Sequence, residues 1–225
     1  MNTLLQVQNL TKTYHDGLTE FVAIHQVHLS LQAGSFSALS GPSGCGKTTL
    51  LNIIGCIEMP DQGTILFEGE TVPFDKMALL DTFRRENVGL VFQDFNLISV
   101  LTAYENVELP LLYNSKISAK ERKQRVTELL TAVGLAEHLH KYPRALSGGQ
   151  CQRVAVARAM VNHPKLVLAD EPTANLDSQS AQDVMQLMHQ LNEQHGTAFL
   201  IATHDPRLMT QFDQNYAMLE GQIQR

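Results

Sequence analysis

The chain has 225 residues, 44% hydrophobic and 18% charged, enough for one large domain or a core with small appended lobes. Acidic residues outnumber basic ones, 23 to 17, for a formal charge of -6, which argues against a domain built to grip nucleic acid, because phosphate contacts need a basic footprint. Cys45, Cys56 and Cys151 show neither a CxxC pair nor a metal-ligand spacing, so a reduced cytosolic protein is expected.

The N-terminal MNTLLQVQNLTKTY lacks a basic segment followed by an apolar run, so no signal peptide is expected there. No stretch approaches about 18 consecutive apolar residues, the length a membrane-crossing helix needs. LLQVQNL (4–10) and VAIHQVHLSL (22–31) alternate with period two, as half-buried strands do. SFSALSG (35–41) runs as a strand into a glycine-rich loop, and TTLLNIIGCI (48–57) follows as a buried helix. DQGTILFEGE (61–70) reads as turn, short strand and turn, which with the first two strands predicts an antiparallel lobe.

Residues 94–113, DFNLISVLTAYENVELPLLY, are rich in aliphatic and aromatic side chains without a clean strand or helix period. Ser118 with Glu121 forms a capping-box signature, Val126, Leu129, Leu130 and Val133 mark one helix face, and Gly134 closes it. KLVLAD (165–170) is a continuous apolar run ending in a carboxylate, as in a strand buried on both faces. Val184, Leu187, Met188 and Leu191 sit at helical spacing ahead of Gly196, and TAFLIAT (197–203) is another buried strand ending at His204. This order implies a parallel sheet with crossover helices.

Gly41-Pro42-Ser43-Gly44-Cys45-Gly46-Lys47-Thr48 meets the phosphate-loop pattern in full, between a strand and a helix. Its backbone N–H groups would converge on the β-phosphate at the positive end of the helix. Lys47 would reach the β- and γ-phosphates and the Thr48 hydroxyl would ligate Mg²⁺. Ser40 and Thr49, flanking the loop, belong to the same nucleotide-binding set. Asp170 would meet that Mg²⁺ directly or through water, and Glu171 could orient or deprotonate an attacking water. A second glycine pair follows at 144–161, RALSGGQCQRVAVARAMV, where Ser147 caps a helix and Gly148 and Gly149 expose N–H groups at its positive end. His138 and His140 invite a metal reading, but without further ligands they read as solvated.

LSGGQ at 146–150 resembles the signature of ABC-transporter ATPase subunits, and the family's other motifs follow in the family's order. Gln93 in VFQDF matches the Q-loop, LVLADE (166–171) the Walker B strand, ANLD (174–177) the D-loop, and THD (203–205) the switch histidine. Tyr14 in TKTYHDG matches the aromatic that stacks on adenine. The stretches LTAYENVELPLLY, LVLADEPTANLD and GTAFLIATHD are similar to ATPases of the lipoprotein-release, macrolide-export and division-associated complexes, the LolD/MacB/FtsE group. Cys151 departs from the larger polar residue usual in the family.

The resemblance implies an α/β P-loop core of RecA type with an antiparallel β lobe and an α-helical subdomain. The core and lobe would span 1–92 and 162–225, and the helical subdomain 93–161. It implies an Mg²⁺-dependent ATPase with Lys47, Glu171 and His204 catalytic, and with Thr48, Gln93 and Asp170 around the metal. Two copies would pair head-to-tail, so that Ser147, Gly148, Gly149 and Gln150 face the neighbour's γ-phosphate and Asp177 shapes the seam. A separate transmembrane subunit is expected to bind near 94–113, through Phe95, Leu97, Leu101 and Tyr104 with Leu111 and Leu112 behind them. The chain would then sit peripherally at the cytoplasmic face of the cell membrane. The rival readings are a soluble ABC-type ATPase acting on ribosomes or DNA, disfavoured by the acidic balance, and a division-associated ABC ATPase without transport; a kinase-like P-loop enzyme leaves Ser147–Gln150 without a role.

Overall fold

Apolar alternation at the N-terminus slips twice, from Leu5 and Val7 to Leu10, and from Ile24 to Val27 and Leu29, yet all six side chains are buried. In the computed structural model, which describes residues 2–17, 19–114 and 117–224, a β-bulge absorbs each slip. Each holds one residue at positive φ, Asn9 at 51° and Gln26 at 47°. The extra residue bends the ribbon and returns the apolar side chains to one face. Strands β1 (Thr3–Asp16) and β2 (Thr19–Gln32) therefore pair antiparallel well beyond the expected 4–10 and 22–31. β4 (Gln62–Phe67) pairs with the other edge of β1, and β5 (Glu70–Thr71) completes a sheet of order β2-β1-β4-β5.

The second sheet has the order β10-β9-β3-β8-β7-β6. Its members are β3 (Phe36–Ser40), β6 (Val88–Val91), β7 (Leu166–Asp170), β8 (Ala198–Thr203), β9 (Gln214–Leu219) and β10 (Gln222–Ile223). All neighbours run parallel except the β9–β10 hairpin. The continuous apolar runs of β7 and β8 serve two cores at once. Leu166, Leu168, Leu200 and Ala202 face a core shared with the antiparallel lobe and helix α1 (Lys47–Ile54). Val167, Ala169, Phe199 and Ile201 face the other core. That second core is built by α3 (Ala103–Leu112), α4 (Ala119–Ala132), α5 (Gly148–Met160) and α6 (Ser178–His195). Burying each Leu, Ile, Val or Phe of these strands contributes about 1.5–3 kcal/mol, so the central strands are the rigid base of whatever sits at their ends. The remaining helix, α2 (Met77–Asn87), leads into β6.

Two local expectations are corrected. Residues 94–113, without a period in sequence, contain α3, started by a complete Thr102–Glu105 capping box. The fully buried Asn106 fixes the loop before it: its side chain accepts from Ile98 N (2.8 Å) and donates to the carbonyls of Leu101 (3.1 Å) and Thr102 (2.9 Å). At α4 only half of the capping box forms. Ser118 Oγ accepts from Glu121 N at 3.2 Å, but the Glu121 carboxylate pairs with Arg125 at 2.6 Å, an i,i+4 bond. At the other end, Gly134 N bonds Thr131 O and Leu135 N bonds Leu130 O, a Schellman closure around the left-handed Gly134.

Candidate functional site

Three strands, β3, β7 and β8, end side by side; Asp170 is the last residue of β7, and the phosphate loop and Glu171 follow the strand ends. Ser40 closes β3, and the loop then turns over a surface that tolerates no side chain at two glycines. A Cβ on Gly41 would stand 2.2 Å from Met218 O, and one on Gly46 2.5 Å from Ala23 O, with Gly46 at φ 107°. Gly46 also starts α1 with no side-chain cap, so the first amides of that helix keep their donors for an anion. Lys47 is buried, and its ammonium donates to Gly41 O (2.8 Å) and Pro42 O (3.1 Å) while lying 3.6 Å from Glu171 Oε1.

At the end of β7, Thr48 Oγ1 donates to Asp170 Oδ2 at 2.7 Å. The other oxygen, Asp170 Oδ1, is buried without a hydrogen-bond partner. Burial raises the Asp170 pKa, Glu171 adds to the rise, and the Thr48 bond and Lys47 oppose it. Glu171 takes φ 45°, rare for a residue with a side chain, and its N–H donates to Ala202 O on β8 at 3.0 Å. That twist turns its carboxylate between Lys47 and His204, whose Nδ1 lies 2.9 Å from Glu171 Oε2. Five groups of four chemical kinds are thus linked by these contacts: an ammonium, a hydroxyl, two carboxylates and an imidazole.

Tyr14 is 38% exposed and lines a cavity of about 240 Å³ with Gly44, Gly46, Lys47 and Thr49. Its hydroxyl donates to Glu58 Oε2 at 2.7 Å. The second glycine pair begins α5. Ser147 Oγ accepts from Gln150 N (3.2 Å) and Gln150 Oε1 accepts from Ser147 N (2.9 Å), a full capping box. Both side chains therefore serve their own helix, and the first amides at its N-terminus, those of the exposed Gly148 and the buried Gly149, take no side-chain cap among the described residues. Among the described residues, no hydrogen bond or ion pair joins 147–150 to the loop at 41–49.

The family model for ABC transporters matches residues 24–174. The chain is 42% identical over 220 residues to the ABC transporter ATP-binding protein YvrO of Bacillus subtilis, covering 98% of this chain and 95% of that one. The chain belongs to the ABC-transporter ATPase family. Its similarity to the macrolide export ATP-binding/permease protein MacB of Syntrophobacter fumaroxidans is 43% over 208 residues, 90% of this chain but 28% of that longer protein. Among solved structures, the cassette MJ0796 of Methanocaldococcus jannaschii, in a dimeric post-hydrolysis state bound to ADP and Pi, superposes with a TM-score of 0.90. It is 40% identical, over 99% of this chain and 97% of that one. The chain is thus an ABC-type, P-loop ATPase.

The remaining residues of this ABC ATPase are distributed around that centre. Gln93 is exposed two residues beyond β6; its carbonyl accepts from Asn175 Nδ2 at 3.3 Å, and the same amide donates to Asp94 Oδ1 at 2.9 Å. No hydrogen bond or ion pair joins the Gln93 side chain to Thr48 or Asp170 among the described residues. Asp177 is the N-cap of α6, accepting from Gln179 N (3.1 Å) and Ser180 N (3.0 Å); the Ser180 hydroxyl first, then these amides, hold its carboxyl below the usual carboxylate range. Cys45 is buried within the phosphate loop. Glu58, Asn175 and Arg158, which donates to Phe95 O at 2.9 Å, escaped the sequence reading, since each acts on a residue more than forty positions away.

Of the expected partner-facing side chains, Leu111 is fully buried, and Leu97 and Tyr104 pack against the helical core. The Asn106 bonds and the capping box fix the loop and the start of α3, and with them the places of Leu97 and Tyr104 against that core. The exposed apolar side chains of this region are Ile98, Val100, Leu112 and Tyr113. Beside Tyr113 opens a cleft of about 550 Å³ reaching Phe92, Pro110, Arg84, Arg85 and Arg158. Among the described residues, no helix is long and apolar enough to cross a membrane.

Proposed function

We propose that the chain is the ATP-driven motor of an export or release complex, working as a head-to-tail pair on a separate transmembrane permease at the cytoplasmic face of the membrane. The carrying observation is the junction of Lys47, Thr48, Asp170, Glu171 and His204, each bonded or ion-paired to another of the five. In the ATP-bound chain the Lys47 ammonium exchanges the Gly41 and Pro42 carbonyls for β- and γ-phosphate oxygens, and the α1 amides hold the β-phosphate. Thr48 Oγ1 and the unpartnered Asp170 Oδ1 fit a divalent cation beside those phosphates, with Gln93 as a further candidate from β6. Bound Mg²⁺ supplies positive charge against the phosphoryl oxygens. Glu171 takes the proton of the attacking water as its oxygen bonds the γ-phosphorus, and the bond from that phosphorus to the ADP oxygen breaks. His204 holds the Glu171 carboxylate at the angle this transfer needs.

Tyr14 stacks on the adenine, and Ser40 to Thr49 wrap the phosphates. The amides of Gly148 and Gly149, left uncapped because Ser147 and Gln150 bond each other's backbone, close on the neighbour's γ-phosphate, with Asp177 at the seam; the dimeric form of the similar cassette MJ0796 supports this. Residues 93–161 move as a helical subdomain against the core formed by 1–92 and 162–225. The permease docks on the cleft beside Tyr113, whose lining includes Phe92, the residue before Gln93. The substrate is a lipoprotein, drug or peptide selected by the permease; similarity to a macrolide export protein supports the drug among these. Glu171→Gln keeps shape and hydrogen bonding but removes the base. With Mg-ATP it should hydrolyse very slowly and accumulate as a closed dimer in size-exclusion chromatography; normal turnover by this variant refutes the assignment.

A further inference from the structure

We propose that Phe21 is a second nucleobase contact and that Glu58 is the residue that positions Tyr14 for the same base. This rests on the reading that ATP phosphates occupy the loop at 41–49. Phe21 is 60% exposed, a large apolar side chain left in water by the fold. Its register explains where it points. Phe21 is the direct antiparallel partner of Tyr14, so the two side chains leave the same face of the β1–β2 ribbon as neighbours. Both line the cavity of about 240 Å³ that continues over Gly44 and Gly46 to Lys47. Two aromatic side chains therefore stand at the outer end of a cavity whose inner end is an uncapped helix terminus. That distribution, apolar outside and anion-binding inside, matches a base joined to a chain of phosphates.

Tyr14 and Phe21 differ in how they are held. Tyr14 OH donates to Glu58 Oε2 at 2.7 Å, and the Lys12 ammonium lies 5.6 Å from the ring centroid. Lys12 in turn pairs with Glu58 at 3.8 Å and Asp61 at 3.2 Å, and Asp61 accepts from Thr13 N at 2.7 Å. Glu58 and Asp61 follow the C-terminus of α1, the helix that carries Lys47 and Thr48 at its start. The network thus ties the base-facing ring to the phosphate-facing helix and leaves one side of the ring open. Phe21 makes no such bond. It supplies surface, and Glu58 supplies orientation.

The test separates base from phosphates. Titration calorimetry on the full chain compares Mg-ATP with Mg-tripolyphosphate, which carries the phosphates alone. Phe21→Ala should weaken ATP binding roughly five- to tenfold, the lower part of the range for removing an aromatic base-stacking side chain, and leave tripolyphosphate unchanged. In steady-state assays the KM for ATP should rise while kcat holds. Glu58→Ala should do the same through Tyr14, and Glu58→Gln, which still accepts from the tyrosine hydroxyl, should restore most of the affinity. Unchanged ATP affinity in Phe21→Ala makes Phe21 a scattered surface hydrophobe and overturns the inference, as does an equal loss for tripolyphosphate. Failure of the unaltered chain to bind either ligand refutes the phosphate-loop reading itself, and this inference with it.

Discussion

Asp170→Asn tests the metal reading without relying on activity. Asp170 carries a buried oxygen with no hydrogen-bond partner among the described residues, next to a second carboxylate, Glu171. Leaving a buried polar atom unpaired costs about 1–3 kcal/mol. Asparagine can still accept from Thr48 Oγ1 and its amide nitrogen takes the unpartnered place, so what is removed is the buried charge; because an unpaired charged group costs more than an unpaired neutral one, the variant should be more stable by about 1 kcal/mol. For a chain of this length that is about 2–4 °C in Tm.

The pH dependence fixes the sign. Burial raises the folded pKa of Asp170 above its unfolded value of about 3.9, so the native state binds the extra proton within that window. Wild-type stability contributed by this group is full below the unfolded pKa and falls as pH rises through the folded one. The gap between variant and wild type should therefore open above the window and close near about pH 4. Thermal unfolding of both proteins at several pH values, with and without Mg-ATP, reads all of this. Mg-ATP should raise the wild-type Tm and reverse the order, because only wild type offers the cation an anionic ligand. A nucleotide-free variant that melts below wild type by the same margin at every pH refutes the reasoning.

Lys47→Ala removes a charge-assisted contact of about 1.5–3 kcal/mol, so ATP binding should weaken roughly tenfold or more and steady-state hydrolysis should vanish, as a coupled phosphate-release assay would record. A tandem-linked dimer with Lys47→Ala in one half and Gly149→Asp in the other should hydrolyse ATP faster than one with both changes in the same half, because head-to-tail pairing gathers both faults into one composite site. Both dimers carry the same substitutions, so any strain the new aspartate puts on Ser180, 3.1 Å from a Cβ at 149, cancels; the reverse order of rates excludes the trans geometry. Tyr113→Asp at the mouth of the arginine-lined cleft should leave nucleotide binding intact and abolish co-purification with the membrane partner; undiminished co-purification removes this cleft from the interface.

What the sequence discloses and what it hides follow one physical distinction. The phosphate loop is legible because its requirements are local: Gly41 and Gly46 press on Met218 O and Ala23 O, and Lys47 and Thr48 must follow at once. β7 and β8 are legible because both faces are buried, which leaves no room for polar alternation. The length of β1 and β2 is not legible, since the bulges at Asn9 and Gln26 break the period that announces a strand. α3 hides for another reason: Pro110 sits inside it, and the loop before it is fixed by bonds from a buried Asn106 that no window of sequence would single out. The Tyr14 support is further from view, because Glu58 reaches it across 44 positions and only the folded lobe brings them together.

The second glycine pair shows the distinction within four residues. SGGQ announces a helix start and an anion site together, and the fold divides the labour between them. Ser147 and Gln150 spend their side chains on each other's backbone, so the groups left for a phosphate are the amides of Gly148 and Gly149. If these amides take the neighbour's phosphate as proposed, Gln150 would act on nucleotide through the shape of the helix start. A Gln150→Glu change, which keeps the reciprocal acceptor but adds charge, and a Gln150→Ala change, which loses it, would separate those two contributions in the linked dimer.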